Sequence, residues 1–372
     1  MTVEPLLLEL LRTEQSVPAI GAEAWRRLAS TAAAHGLTGW LFRRLTPAWS
    51  ALPPDVRQRL ERRSIDLAAR TMMLATELAG LVGALEAAGV RCAPLRGLDL
   101  AERVYGDAAA RPMGDIDLLV SRGELARVSA VLGGLGFAEV DRRAGFASAF
   151  SNTLELVAAR HGGVVVEPHW SLAYPPFVEA LAAERVWAMC RRGTVAGTSC
   201  WRLGTAALLV HLCLHIAHKE PGAPLLWTWE LDRLVRREAG ELDWPQFVAL
   251  TDALAPLVWP ALARAVRLFD TPVPRGVREA LERRVASGRQ RRLLKLVAAT
   301  SRVDGKESLA ALLALPGFRA RLRYASAVLF PSPRFMTLEY GLTRRRQLGA
   351  AYVRRASYFT WQGLKGVLRL CC

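Results

Sequence analysis

The sequence predicts an α+β protein: a small mixed sheet carried between an N-terminal helical segment and a larger C-terminal helical region. Three observations predict it. Residues 23–35 and 54–87 carry Leu, Ala and Val at three-to-four-residue spacing, the period of helices that bury one face. Extended apolar runs occur only in the middle of the chain, at 115–120, 153–157 and 164–167. After Trp170 the strands are expected to stop and helical periodicity returns. The expected organisation is therefore an N-terminal helical segment over 1–90, a core over 91–175, a helical domain over 176–300 and a basic C-terminal helical segment over 301–372.

Taken in order, the first helix of this pattern ends near Gly36, and the long one over 54–87 is expected to break once. Ala93-Pro94-Leu95-Arg96-Gly97 reads as a short extended segment that turns at Gly97 into a helix over 98–105. A glycine turn at a helix N-terminus offers free backbone N–H groups to a phosphate. Next comes Arg111-Pro112-Met113-Gly114-Asp115-Ile116-Asp117-Leu118-Leu119-Val120. A strand puts residues i and i+2 on one face, so Asp115 and Asp117 project together while Ile116 and Leu118 face the interior. Two acids this close repel each other unless a cation lies between them. Mg²⁺ takes one or two carboxylates completed by water and substrate phosphates, so the implied ligand is a nucleotide. The plainer alternative is a solvated strand end.

Ser121-Arg122-Gly123-Glu124 has the form of a capping box and should open a helix through Leu135, ended by Gly136. The runs 153–157 and 164–167, joined by a segment containing His161-Gly162-Gly163, form a predicted hairpin. Each strand of it carries an acid, Glu155 or Glu167. Pro168 cannot donate to a ladder, which places its strand at an edge or ends it there.

These residues resemble a family, the polymerase-β-type nucleotidyltransferases, and within it the uncharacterised nucleotidyltransferase group. The elements that carry the resemblance are Arg96-Gly97, Tyr105, Arg111, Asp115 to Val120, and Glu167-Pro168-His169-Trp170. It extends from Ala24-Trp25-Arg26-Arg27-Leu28-Ala29 through His35-Gly36-Leu37 and on past Trp170, although the specific motif lies between residues 94 and 170. Arg96 stands where the group usually has lysine, and Leu98 departs from the superfamily's Gly-Ser or Gly-Gly helix start. The resemblance implies a nucleotidyltransferase sheet with Asp115, Asp117 and Glu167 as catalytic carboxylates holding two Mg²⁺ ions, Glu155 being the rival third acid. It implies an NTP as donor, ATP being the expected one, with Arg96, the Gly97 N–H and Arg111 on its phosphates, and an NMP passed to an unidentified acceptor hydroxyl. His169 is a candidate on the substrate side.

The stretch 205–218 places His211, His215 and His218 on one helical face. It lacks the His-Glu-x-x-His form of a zinc protease, because Leu212 follows the first histidine. A substrate-side role is preferred. In nucleotidyltransferases of the type resembled, a helical domain closes one side of the nucleotide cleft, which would bring Lys219 or Asp232 near the substrate. The competing reading of Trp227, Trp229, Glu230 and Asp232 is a packing seam with a charged helix face.

The formal charge is +16, and only four of the 50 basic residues are lysines. From residue 308 onward eleven Arg or Lys face one acid, Glu339, a net of +10. A helix pair over 342–370 mixes Arg344, Arg345, Arg346, Arg354 and Arg355 with Tyr352, Tyr358, Phe359 and Trp361. Such a face could grip RNA or an anionic surface, or could simply be arginines outside an aromatic-packed helix. Six cysteines without a C-x-x-C pair signal neither a zinc knuckle nor a disulfide framework. No run of 18 or more apolar residues appears and the first residues lack a signal-peptide pattern, so a cytoplasmic protein without a transmembrane segment is expected. Two rival functions stand beside the transferase: a catalytically relaxed nucleotide- or RNA-binding module, and a metal-dependent glycosyltransferase, which would require a longer nucleotide-binding βαβ array than residues 1–90 resemble.

Overall fold

The architecture comes from a computed structural model, which describes residues 5–13, 19–158, 163–220, 222–284 and 311–371. Expectations falling on the segment around His161, on the junction at 288–292 and on the boundary at 300 lie outside these residues. The N-terminal part is helical: α1 (Pro5–Arg12), α2 (Ala22–Ala34), α3 (Thr38–Leu45) and α4 (Pro54–Ala87). α4 runs unbroken rather than breaking once. No proline interrupts it after its first turn, and its second half lays Leu74, Leu78, Leu81 and Leu85 on the sheet at three-to-four-residue spacing.

The sheet has the order β1-β2-β5-β4-β3, formed by β1 (Ala93–Leu95), β2 (Asp115–Leu119), β3 (Phe137–Glu139), β4 (Leu156–Ala158) and β5 (Val165–His169). β2 and β5 are parallel, and the other pairings are antiparallel. The helix α5 (Gly97–Tyr105) follows β1, and α6 (Leu125–Gly134) follows β2. One face of the sheet buries Ile116, Leu118, Val120 and Val166 against α4 and α6. The opposite face carries the acids.

Two local expectations are corrected here. Ser121 does not cap a helix with its hydroxyl, because Oγ accepts a hydrogen bond from Trp187 Nε1 at 3.1 Å; a 3₁₀ turn over Arg122–Glu124 intervenes before α6. Pro168 lies in an interior strand, which excludes the edge, and that strand ends one residue later at His169, as the other alternative has it. It is tolerated because its missing N–H is directed at the β4 side, where Leu154 N–H donates to the Pro168 carbonyl at 3.2 Å and the named ladder has already stopped at the Leu156–Val166 pair.

Strands do not stop at Trp170. After α7 (Phe146–Phe150) and α8 (Ala183–Val186), a hairpin of β6 (Cys190–Val195) and β7 (Thr198–Leu203) turns through Ala196 and Gly197, both at positive φ. Its arginines hide it from a hydrophobic-period reading, since only Cys190, Val195, Cys200 and Leu203 are buried. The helical region then comprises α9 (Thr205–Lys219), α10 (Leu225–Arg237), α11 (Trp244–Thr251), α12 (Ala255–Phe269) and α13 (Arg275–Arg283). One apolar cluster joins α1–α3 to α9, α10 and α12, with Leu28, Leu41, Leu208, Leu231 and Leu262 fully buried within it. The N-terminal helices thus share one core with the helical region.

Beyond the undescribed segment lie α14 (Phe318–Leu329), α15 (Pro333–Glu339) and α16 (Leu348–Cys371). The expected pair over 342–370 is one long helix preceded by a 3₁₀ turn over Arg345–Gln347. Arg355 is buried, donating from Nε to the Val328 carbonyl at 2.7 Å and stacking over Phe359, whereas Arg344, Arg345, Arg346 and Arg354 are exposed. The four cysteines with described side chains, Cys92, Cys190, Cys200 and Cys213, are buried free thiols. Two stretches, Pro54–Ala87 and Trp244–Phe269, are long and apolar enough to cross a membrane by length and composition alone, a test that core helices also pass. Each contributes to the core, the first through Leu78 and Leu81, the second through Phe247, Val258 and Leu262.

Candidate active site

β2 and β5 pair in parallel with Asp117 opposite Glu167 and Asp115 opposite Val165. Register partners in a parallel pair point to the same face, so Asp115, Asp117, Glu167 and His169 project together. The antiparallel partner of Glu167 on the β4 side is Glu155, one residue before the Leu156–Val166 pair. Three acids therefore stand in a row across adjacent strands.

The row is not uniform. Asp115 is exposed and Asp117 buried. Partial desolvation, followed by the charge of Asp117, pushes the Asp115 carboxyl up to about 6. Burial acts the same way on Asp117, but the Arg96 guanidinium and His169 outweigh it and hold that carboxyl well below the usual range. Arg96 donates to Asp117 Oδ2. His169 Nε2 lies 3.3 Å from Asp117 Oδ1 and 3.4 Å from Glu167 Oε2. Burial alone would lower the His169 pKa, yet these two carboxylates raise it to about 9, so it is an imidazolium bridging them at neutral pH. The side-chain amide of Asn152, a residue that sequence reasoning missed, stands 3.4 Å from His169 Nδ1. A neutral Asn in a loop gives no pattern by which to find it.

Arg96 reaches Asp117 because of the backbone beneath it. β1 pairs Leu95 with Asp117, and the chain then turns at Arg96 and Gly97, both at positive φ, into α5. A Cβ at Gly97 would meet only Met113 Sδ, at 3.9 Å, so glycine is there for its φ of 38° rather than for lack of space. The other guanidinium nitrogen of Arg96 lies 2.6 Å from His215 Nε2. The histidine row of α9 thus does face the acids. His211 turns Nδ1 to the Leu172 carbonyl at 3.2 Å and leaves Nε2 buried without a hydrogen-bond partner; burial, then the charge of Arg96, lowers its pKa to about 3. His215, lowered by the same causes and stacked 3.9 Å from Trp227, is also neutral. His218 packs on Tyr174 instead.

Three expected site residues are corrected. Arg111 does not open to a nucleotide: its guanidinium is buried in a two-pronged ion pair with Glu230 of α10, Nε to Oε1 at 2.8 Å and Nη2 to Oε2 at 3.3 Å. Tyr105 donates to the same carboxylate at 2.8 Å, so two residues of the sequence motif fasten α10 to the sheet domain. Asp232 is fully buried and accepts from Arg236 Nε at 2.9 Å and Thr271 Oγ1 at 2.8 Å, which makes it a tie between α10 and the turn after α12. Lys219 ends α9 as an exposed residue, and no contact places it at the acids. The family resemblance that suggested these positions does not fix which side chains of the loop before β2, of α9 and of α10 face the acids.

Residues 21–270 match the family described as uncharacterised nucleotidyltransferase. The chain belongs to that family. It is a nucleotidyltransferase by that membership, and the α+β architecture with its small mixed sheet is the one expected. Among solved structures the chain is similar to an antigenic nucleotidyltransferase-like protein from Paracoccidioides brasiliensis, at 16% identity over 57% of this chain and 94% of that one, with a TM-score of 0.34. No curated protein matches it. The family leaves the glycosyltransferase reading without support.

Proposed function

We propose that this nucleotidyltransferase transfers an NMP from a Mg²⁺-bound NTP, ATP first among candidates, to an acceptor hydroxyl. The observation that carries the reading is the in-register placement of Asp117 and Glu167 on adjacent parallel strands, with Asp115 on the same face. The donor set fits a hard divalent cation. Ligand atoms of Asp117, Glu167 and His169 lie within 4.8 Å of one another, and Asp115 is an acid short of countercharge. Asp115, Asp117 and Glu167 would hold the metal, two ions in the full arrangement, with His169 beside them. A bound Mg²⁺ supplies Lewis-acid polarisation of the phosphoryl group and activation of the acceptor oxygen.

The protein's own part is positioning. The turn at Arg96 and Gly97 sits beside Asp117 in the register and starts α5, so its N–H groups suit the β- and γ-phosphates. Arg96 is the cation at hand for charge that develops on them. His211 and His215, both neutral, stand near Arg96 and Asp117 without adding charge that would repel a metal.

One observation favours a second reading, a nucleotide-binding module without turnover: both carboxylate oxygens of Asp117 are engaged, one by Arg96 and one by His169. A metal must displace these cations, and if it cannot, only binding remains. The third acid provides a test of the transferase reading. Glu167→Gln should lower kcat by about 10²-fold or more with little change in nucleotide KM, as expected for a group acting on the reacting oxygens. Glu155→Gln should stay within about 3-fold of wild type on both constants. The reverse pattern moves the third ligand to the β4 side.

A further inference from the structure

The described residues beyond 310 present apolar side chains to solvent in a way the other described residues do not. Nine of the eleven exposed large hydrophobic residues among those described lie there. On α14, Phe318 and Leu322 are 78% and 57% exposed at i and i+4, with Arg319 beside them. On α16, Val353 and Leu364 are 68% and 52% exposed, eleven residues and therefore three turns apart on one face, with Trp361 between them. The inner faces of the same helices are packed, through Tyr324 and Val328 on α14 and Ala351 and Arg355 on α16. These helices are thus amphipathic twice over, and their outer apolar stripes run among arginines.

We propose that the C-terminal helices dock this protein on an anionic phospholipid surface, apolar stripes in the headgroup boundary and arginines on the lipid phosphates. Charge complementarity selects the occupant. Residues 308–372 carry a net +10, which attracts an anionic leaflet and would repel a second copy of the same surface. Phe318 and Trp361 would suit a base as well as a lipid, but Leu322, Val353 and Leu364, also exposed on these helices, have no π face on which a base can stack and gain free energy by leaving water at an acyl boundary. Trp361 is the residue type that settles at such an interface. None of the stripe residues is an acid of the row, so the surface would place the transferase at a membrane without supplying groups to its chemistry.

The experiment is co-sedimentation of the full chain with vesicles of phosphatidylcholine alone and of phosphatidylcholine mixed with phosphatidylglycerol. Binding to the mixed vesicles is expected to be at least about tenfold tighter and to weaken with salt. Leu322→Ser with Val353→Ser should weaken it about tenfold while keeping the salt dependence, since only exposed apolar area is removed. Arg344→Gln, Arg345→Gln and Arg346→Gln together should weaken it and flatten that dependence. Circular dichroism should show both variants folded, as all five positions are exposed. The proposal is overturned if neither vesicle binds or if the serine variant binds mixed vesicles as well as wild type. It is also overturned if single-stranded RNA binds more tightly than the mixed vesicles and is indifferent to the serines. Self-association that the serines abolish would assign the stripes to a second copy instead.

Discussion

Asp117→Asn is expected to abolish nucleotidyl transfer, by about 10³-fold or more, and to lower stability as well. The catalytic loss follows if this carboxylate is the central metal ligand and the field around the transferred phosphoryl group depends on it. The stability loss follows from what Asp117 touches: an amide no longer neutralises Arg96 and the His169 imidazolium, both largely buried. Asp115→Asn should lose activity without losing stability. The Asp115 carboxyl is held up at about 6 in the fold against an unfolded value near 3.8, so the folded state binds the proton more tightly. Stability of the wild type should therefore fall as pH rises between these values and stay reduced above them. The Asp115→Asn protein lacks this penalty, so its melting temperature relative to wild type should climb from pH 4 through 6 and then level off. Measuring both melting curves across pH in the absence of metal separates the two aspartates, because only one of them is already neutralised by its neighbours.

The largest purely structural effect is expected at Glu230. Its carboxylate is fully buried, paired to Arg111 and accepting from Tyr105. Glu230→Ala leaves a guanidinium and a phenol buried without their acceptor, which costs about 3–5 kcal/mol. Replacing both partners, Arg111→Met with Glu230→Leu, should recover most of that loss, since a buried ion pair and an apolar pair of similar volume are often close in stability. Denaturant midpoints of the single and double variants measure the coupling. If Glu230→Ala is near neutral, the pair is not what fastens α10 to the sheet domain.

The parts of the site that were legible in the sequence are those set by local geometry. Asp115 and Asp117 share a face because they are two residues apart on a strand, and Gly97 is a turn because its φ is positive, facts that need no partner. The pairing of Glu167 with Asp117 depends on β5 crossing to lie parallel to β2, which the hairpin pattern of 153–167 suggests only by half: it fixes the β4–β5 pairing and says nothing of the other edge. The placement of the cations is illegible for the same reason. An arginine nineteen residues before Asp115 and one four residues before it look alike in sequence; the fold lays Arg96 on Asp117 and sends Arg111 to Glu230, 119 residues away. The β6–β7 hairpin was hidden because its outward positions are arginines and its inward ones are sparse. The row of His211, His215 and His218 was visible, but only packing of α9 against the acid face separates the two that look into the site from the one that rests on Tyr174.

Nucleotidyl transfer by the acid row is checked by incubating the protein with Mg²⁺, an acceptor-containing cell extract and each of the four NTPs labelled at the α-phosphate, with ATP labelled at the γ-phosphate alongside. Mg²⁺-dependent label is expected on one acceptor species from α-labelled ATP and none from γ-labelled ATP, with release of pyrophosphate and no transfer by Asp117→Asn. Label arriving from the γ-phosphate, or tight Mg²⁺-dependent ATP binding with no transfer from any of the four α-labelled nucleotides, would contradict nucleotidyl transfer by the acid row.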